Sequence, residues 1–227
     1  MNNVTDWWER PRKVSIVIDN DEWMLAHCEE LVTIISNAGD HAYLCRSYEQ
    51  VETDGIAIFL SCYGIASSEI LKRNHRNLVI HASNLPEGRG WSPLTWQILE
   101  GQRSIPVCLL EAGDAVDSGK IIYKDYLEFE GHELINEMRE ALATLSCNLC
   151  LRFLDEDLPP KGEEQQGKAT YFSKRKSEDS QLDVNKTIAE QINLLRVVDN
   201  DRYPAFFKWQ DHSYRIRIEK IRTRKIN

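Results

Sequence analysis

No stretch of this 227-residue chain approaches the roughly 20 consecutive apolar residues of a membrane-spanning helix. The opening MNNVTDWWERPRK also lacks the apolar run of a secretory leader, so the expected compartment is the cytoplasm, with no membrane partner. Glycine and proline are sparse, at 11 and 7, which excludes a fibre or a low-complexity chain. An excess of positive charge is missing: 28 Lys and Arg stand against 36 Asp and Glu, a formal balance of −8. That is the wrong sign for gripping a polyanion, so nucleic acid is not an expected partner. No GxGxxG follows the first strand candidate and no Walker lysine loop occurs, which removes the two commonest phosphate cradles of α/β proteins. The absence of GxSxG disfavours an α/β-hydrolase. The one Cys-x-x-Cys, Cys147 to Cys150, has no second ligand pair at zinc spacing, so no metal is expected. All six cysteines are read as free thiols of a reducing compartment.

What the chain does contain is enough to build a core, since 42% of its residues are hydrophobic and 28% charged. Its length suits one large domain, or one domain with a small appendix. Two periodicities alternate in the first half. A β-branched run at 13–19 is followed by Met24, Cys28, Leu31, Val32 and Ile35 at helical spacing, closed at Gly39. Runs 41–47, 55–61 and 77–83 read as three more strands, with a short helix capped by Ser67 or Ser68 between the last two. This alternation predicts an α/β fold, a Rossmann-like, mainly parallel sheet flanked by helices. Ligands of such sheets bind beyond the carboxyl ends of the strands, which puts a site near Ser61 and His81.

A short helix at 93–101, strands at 105–112 and 120–129, and a long helix from 132 to about 153 follow. The stretch 156–180 turns to Pro, Gly and charge and reads as a surface connection. A last helix is expected over 183–198, capped by Asp183, with Ile188, Ile192, Leu195 and Val198 on one face, and then a terminal strand in HSYRIRIEKI. The expected organisation is a main domain over 1–155, then a linker with a small C-terminal helix and strand extension over 156–227.

The block from Asn77 to Lys120 carries the most specific pattern. His81-Ala82-Ser83-Asn84-Leu85-Pro86, then Gly88-Arg89-Gly90, Pro93 and Trp96 through Gly101, resembles the H-x-S-L-L-P…R-G…P…W…G segment of the folate-dependent formyltransferases. Val116-Asp117-Ser118-Gly119 looks like that family's L-D-x-G-D loop, Leu60 through Gly64 like its strand end and Y-G turn, and 196–207 like its late helix and P-A-F turn. The form WSPLTWQILEG after the histidine is similar to sugar N-formyltransferases of the pseudaminic acid type. The resemblance implies a catalytic domain over 1–155 that transfers a formyl group from 10-formyltetrahydrofolate to the amino group of a nucleotide-linked amino sugar, with UDP as the expected nucleotide. It also implies a His, Asp and Asn catalytic set, with His81 and Asp117 as the first two by motif position and Asn77 as a candidate for the third. Leu60, Ser61, Cys62 and Tyr63, together with Ala112, Gly113, Asp114 and Asp117, are implied to hold the folate, largely by main-chain groups. Arg89, Trp91, Arg175 and Tyr203 are the types that pair with a pyrophosphate or stack on a base or sugar. The implied partners are the folate, the nucleotide sugar and a second copy of the chain in a homodimer.

The residue types suit that chemistry. An amine must lose a proton to attack a carbonyl, and a histidine accepts protons near neutrality. A carboxylate beside it holds the imidazole and passes protons on, and the oxyanion formed needs a donor. One departure stands out: the family's Asn two residues before the histidine is Val79 here. Asn77, four residues before, would lie about 13 Å along the strand at about 3.3 Å per residue. A bulge could bring it nearer; otherwise Asn84, Ser83 or a main-chain amide supplies the donor, or His81 and Asp117 act alone. Three other functions remain open at this point: formylation of an aminoacyl-tRNA, hydrolysis of 10-formyltetrahydrofolate, and a non-catalytic folate or nucleotide-sugar binding protein.

Overall fold

Aliphatic and β-branched side chains occupy both faces of the central strands, as a sheet covered on two sides requires. The computed structural model describes residues 6–221 except Asp114, so Asp114 is the one expected site residue outside the described residues. Strands β1 (Lys13–Val17), β2 (His41–Cys45), β3 (Ile56–Phe59), β4 (Arg76–His81), β6 (Ser104–Glu111) and β7 (Ile121–Glu128) form one sheet in the order β2-β1-β3-β4-β6-β7. The first four run parallel, while β6 and β7 are antiparallel to their neighbours. This is the mainly parallel α/β architecture expected from the sequence, with β6 alone reversed, so that β7 at the edge runs in the direction of the first four strands.

Period-two alternation sorts the faces. Val14, Ile16, Ile56 and Ile58 point toward helices α1 (Leu25–Asn37), α3 (Pro93–Leu99) and α4 (Ile135–Leu154), where the larger core lies. Val17, Ala57 and Phe59 face a smaller cluster closed by Ile70 of α2 (Ser68–Leu71). Ser67 caps α2, its hydroxyl accepting from the Ile70 amide at 3.3 Å. Phe153 near the end of α4 is fully buried and meets the Trp8 ring edge-on at 5.3 Å. Phe153→Ala should therefore cost about 3–5 kcal/mol of folding stability in urea titration, and a loss under about 1 kcal/mol would contradict this account of the core.

Beyond α4 the structure corrects three readings. The stretch 156–180 is not merely a surface connection: its strand β8 (Tyr171–Phe172) pairs in parallel with β5 (Arg89–Gly90). The helix expected over 183–198 is reduced to α5 (Ile192–Val197), preceded by turns. Polar side chains win the backbone there. Asp183 accepts from the Asn185 amide at 2.9 Å, Glu190 accepts from the Thr187 amide at 2.8 Å, and Gln191 donates to three carbonyls. Ile188 is consequently 73% exposed, so the expected apolar stripe reduces to Leu195 and Val198, which are buried against Leu182 and Ala205. Third, the P-A-F segment is strand β9 (Ala205–Trp209), in a hairpin with β10 (His212–Ile216). Gln210 and Asp211 turn that hairpin, both at positive φ, as a two-residue primed turn demands.

Candidate active site

The carboxyl ends of β1, β3 and β4 open onto one cleft of about 400 Å³, within the size range of small-molecule sites. Just past β1, Asp19 accepts hydrogen bonds from the amides of Tyr63 (2.8 Å) and Gly64 (2.7 Å) and faces the Tyr48 hydroxyl at 3.2 Å. Asn20 donates to the Ser61 carbonyl at 2.8 Å, and Ser61 itself sits at φ +53°. The turn after β3 is thus held in a fixed, left-handed conformation that lines the cleft with Leu60, Ser61, Cys62 and Tyr63.

His81 ends β4 and is 6% exposed. Its Nε2 lies 2.8 Å from the Gly88 carbonyl oxygen, which can only accept, so Nε2 carries the hydrogen. That leaves Nδ1 as the nitrogen free to take up a proton, and it faces Asp117 Oδ2 at 3.5 Å. The same Asp117 oxygen accepts from the Gly90 amide at 2.8 Å. Asp117 lies in the β6–β7 loop at φ +51°, a strained setting that surrounding structure must sustain. The two residues are 36 positions apart in sequence (117 − 81), and the fold brings them to ion-pair distance at the cleft wall.

Ala112 and Gly113 also line the cleft. Also lining the cleft, Trp91 and Tyr63 lie 6.0 Å apart between ring centroids, with Lys174 Nζ 4.4 Å and 5.4 Å from the two rings. Arg202 pairs with Glu22 and reaches the Tyr63 hydroxyl at 3.4 Å. Tyr203 adds a further aromatic lining. Asp19, Lys174 and Arg202 had no motif to announce them. Only Asp19, at the end of a strand, carried a positional hint.

Three expected site residues stand elsewhere or are otherwise engaged. Arg89 does not line the cleft; its guanidinium donates to Gln165 at 2.6 Å and reaches the Tyr171 hydroxyl at 3.5 Å. Arg175 lines the cleft, and its two terminal nitrogens donate to Val197 O, Asp179 O and Ser180 Oγ at 3.1–3.4 Å, while its Nε is buried without a partner. Burial lowers its pKa below the ordinary guanidinium value, against the opposing pull of Asp179. Asn77 donates its side-chain amide to the Leu71 carbonyl at 2.7 Å and accepts on its main-chain oxygen from Ala112, which ties α2 to β4 rather than reaching the cleft. Val79 does line the cleft, so the position usually held by Asn offers no side-chain donor. Asn77→Ala should leave the chemical step within about three-fold while costing about 1 kcal/mol of stability, the net worth of one hydrogen bond; rapid-quench kinetics and urea titration separate the two effects.

Nucleophilic sulfur is a poor fit to this cleft. Burial, followed by the nearby Asp19 carboxylate, pushes the Cys62 thiol up to about 12, and all six cysteines are free. Among the described residues no His, Cys, Asp and Glu cluster has the arrangement of a metal centre, and no helix is long and apolar enough to cross a membrane. What the site offers is a proton-accepting imidazole nitrogen beside a carboxylate, in an apolar cleft that aromatic rings and cations also line.

The profile described as formyl transferase matches residues 35–154. The methionyl-tRNA formyltransferase of Rickettsia bellii (strain RML369-C) is 25% identical over 169 residues, covering 73% of this chain and 55% of that protein. The chain spans about half the length of the curated relatives it matches. Among solved structures, a methionyl-tRNA formyltransferase from Clostridium thermocellum superposes with TM-score 0.79 at 20% identity, covering 93% of this chain and 94% of that one. A sugar N-formyltransferase from Shewanella sp. FDAARGOS_354 superposes with TM-score 0.68 at 16% identity, covering 94% and 99%. At such identities the structural likeness speaks for the fold alone.

Proposed function

This chain belongs to the formyl transferase family, and from that premise we propose that it transfers a formyl group from 10-formyltetrahydrofolate to the amino group of a nucleotide-linked amino-deoxy sugar, UDP-linked and of the pseudaminic acid type. The observation that carries the reading is the His81–Asp117 pair at 3.5 Å in a cleft that aromatic rings and cations also line. The folate supplies an activated formyl carbon. The cleft fits a planar pterin: apolar walls at Leu60, Val79 and Val116, with main-chain groups of the fixed 60–64 turn and of 111–113 at its rim. Trp91 and Tyr63 offer flat faces to a base or sugar ring, and Lys174 and Arg202 offer positive charge to a diphosphate.

In this reading His81 Nδ1 takes the proton that the attacking amine gives up. Asp117 stabilises the resulting imidazolium, and Gly88 keeps the ring aimed through Nε2. With Val79 at the position usual for Asn, the protonated His81 Nδ1–H is the donor nearest the developing oxyanion. As the tetrahedral intermediate collapses, the bond from the formyl carbon to the folate nitrogen breaks and His81 Nδ1–H returns its proton to that nitrogen, so one residue serves in turn as base, hydrogen-bond donor and acid.

A second acceptor class has its own support, since the curated relatives at 25–30% identity are named methionyl-tRNA formyltransferases. The formal charge of −8 argues against a polyanionic acceptor of that size. Incubation with 10-formyltetrahydrofolate, a panel of UDP- and dTDP-linked amino sugars, and methionyl-tRNA, followed by mass spectrometry, tests the assignment. A 28 Da gain on a nucleotide sugar, CO added on N-formylation, is the expected outcome. Formylation of the tRNA alone, or release of formate without any acceptor product, overturns it.

A further inference from the structure

The segment following the long helix reaches the His81–Asp117 pair from behind. Glu163 and Ile121 exchange two main-chain hydrogen bonds of 2.8 Å, anchoring its start beside β7. The Gln165 side-chain amide then donates to the carbonyls of Asp117 and Gly119, both at 2.8 Å, while its Oε1 accepts from Arg89 at 2.6 Å. Five residues later, Thr170 Oγ1 accepts from the Gly88 amide at 2.8 Å and Thr170 O accepts from the Arg89 amide at 3.0 Å. Phe172 O accepts from the Trp91 amide at 3.2 Å.

These contacts converge on the short run that aims both site residues. Gly88 offers its carbonyl to His81 Nε2, and Gly90 offers its amide to Asp117 Oδ2. Gly90 sits at φ +94°, and a Cβ there would lie 2.7 Å from the Phe172 carbonyl oxygen, so the run and the segment behind it are in close register. Asp117, at φ +51°, is the strained residue that Gln165 clamps through its own carbonyl.

We propose that residues 163–173 are a strap whose Gln165 and Thr170 are positioning residues for His81 and Asp117. Thr170 fixes the Gly88–Gly90 run, and Gln165 fixes the loop that presents the carboxylate. The proposal rests on the formyl-transfer reading of the site for its kinetic consequence, though not for its structural one. Gln165→Glu keeps the shape of the side chain but sets a carboxylate against two carbonyl oxygens, which releases the 117–119 loop. Thr170→Val keeps the volume and loses the acceptor, whereas Thr170→Ser restores it.

Misplacement of about 1 Å costs on the order of 100-fold in rate. Gln165→Glu and Thr170→Val should each lower kcat by about 10-fold or more with KM for donor and acceptor within about two-fold, and Thr170→Ser should recover at least about half of wild-type kcat. In the free protein, amide hydrogen exchange at Gly90 should accelerate about 10-fold or more in Gln165→Glu and Thr170→Val but not in Thr170→Ser, with the β1 and β3 amides unchanged. The exchange arm needs neither substrate. Faster exchange at Gly90 in a protein that formylates no amine supports the strap and rejects the functional reading. An active wild type in which Thr170→Val turns over like Thr170→Ser, or unchanged Gly90 exchange in both disruptive variants, overturns the strap.

Discussion

His81→Asn is expected to slow the single-turnover rate of formyl transfer by about 100-fold or more while the folate still binds, because positioned acid–base assistance is worth about 10²–10⁴. The asparagine amide occupies the place of the imidazole Nδ1 edge and can still face Asp117, while the Gly88 carbonyl that Nε2 holds loses its donor. Asparagine has no nitrogen that accepts a proton near neutrality, which makes the substitution a test of the base rather than of the fold. Val79 lining the cleft makes the expected loss steeper, since the same ring is assigned to the oxyanion after the proton has moved. Rapid-quench measurement of the chemical step decides the matter, with fluorescence titration of the folate as control. A rate within a few-fold of wild type would overturn the mechanism whatever the acceptor proves to be.

The second large effect is expected at Asp117. Asp117→Asn keeps one oxygen able to accept from the Gly90 amide, so the loop geometry can survive, but it removes the charge that faces His81 Nδ1 at 3.5 Å. An amide cannot stabilise an imidazolium as a carboxylate does, and the expected loss is again about 10²–10⁴. Both residues act on one proton, so the double variant should be hardly slower than His81→Asn alone. Additive losses in the double variant would mean that Asp117 works on something other than the imidazole, and a near-normal single variant would remove it from the machinery altogether.

Sequence by itself determined the order of strands and helices through the first 154 residues apart from the two-residue β5, because the main elements there carry enough periodicity or capping signal to declare their own type. It also singled out His81 and Asp117 as candidates, through the resemblance of the block from Asn77 to Lys120 to the formyltransferase motifs. Tertiary structure decided what periodicity does not encode. The reversal of β6 against β4 sets the path of the loop bearing Asp117, and with helix α3 between β4 and β6 nothing local distinguishes that path from a parallel crossover. After residue 155 the local signals are weak and polar side chains compete for the backbone. The expected helix over 183–198 therefore gave way to turns built by Asp183, Glu190 and Gln191. The same weakness hid the strap. Gln165 and Thr170 are two polar residues in a loop-like composition, and their importance comes from donors and acceptors 46–82 positions away, which only the folded chain brings within 3 Å. Lys174 and Arg202 became visible in the lining of the cleft, and Asp19 as the anchor of the 63–64 turn, for the same physical reason: charge gains a role from what it faces, and what it faces is set by packing rather than by its neighbours in sequence.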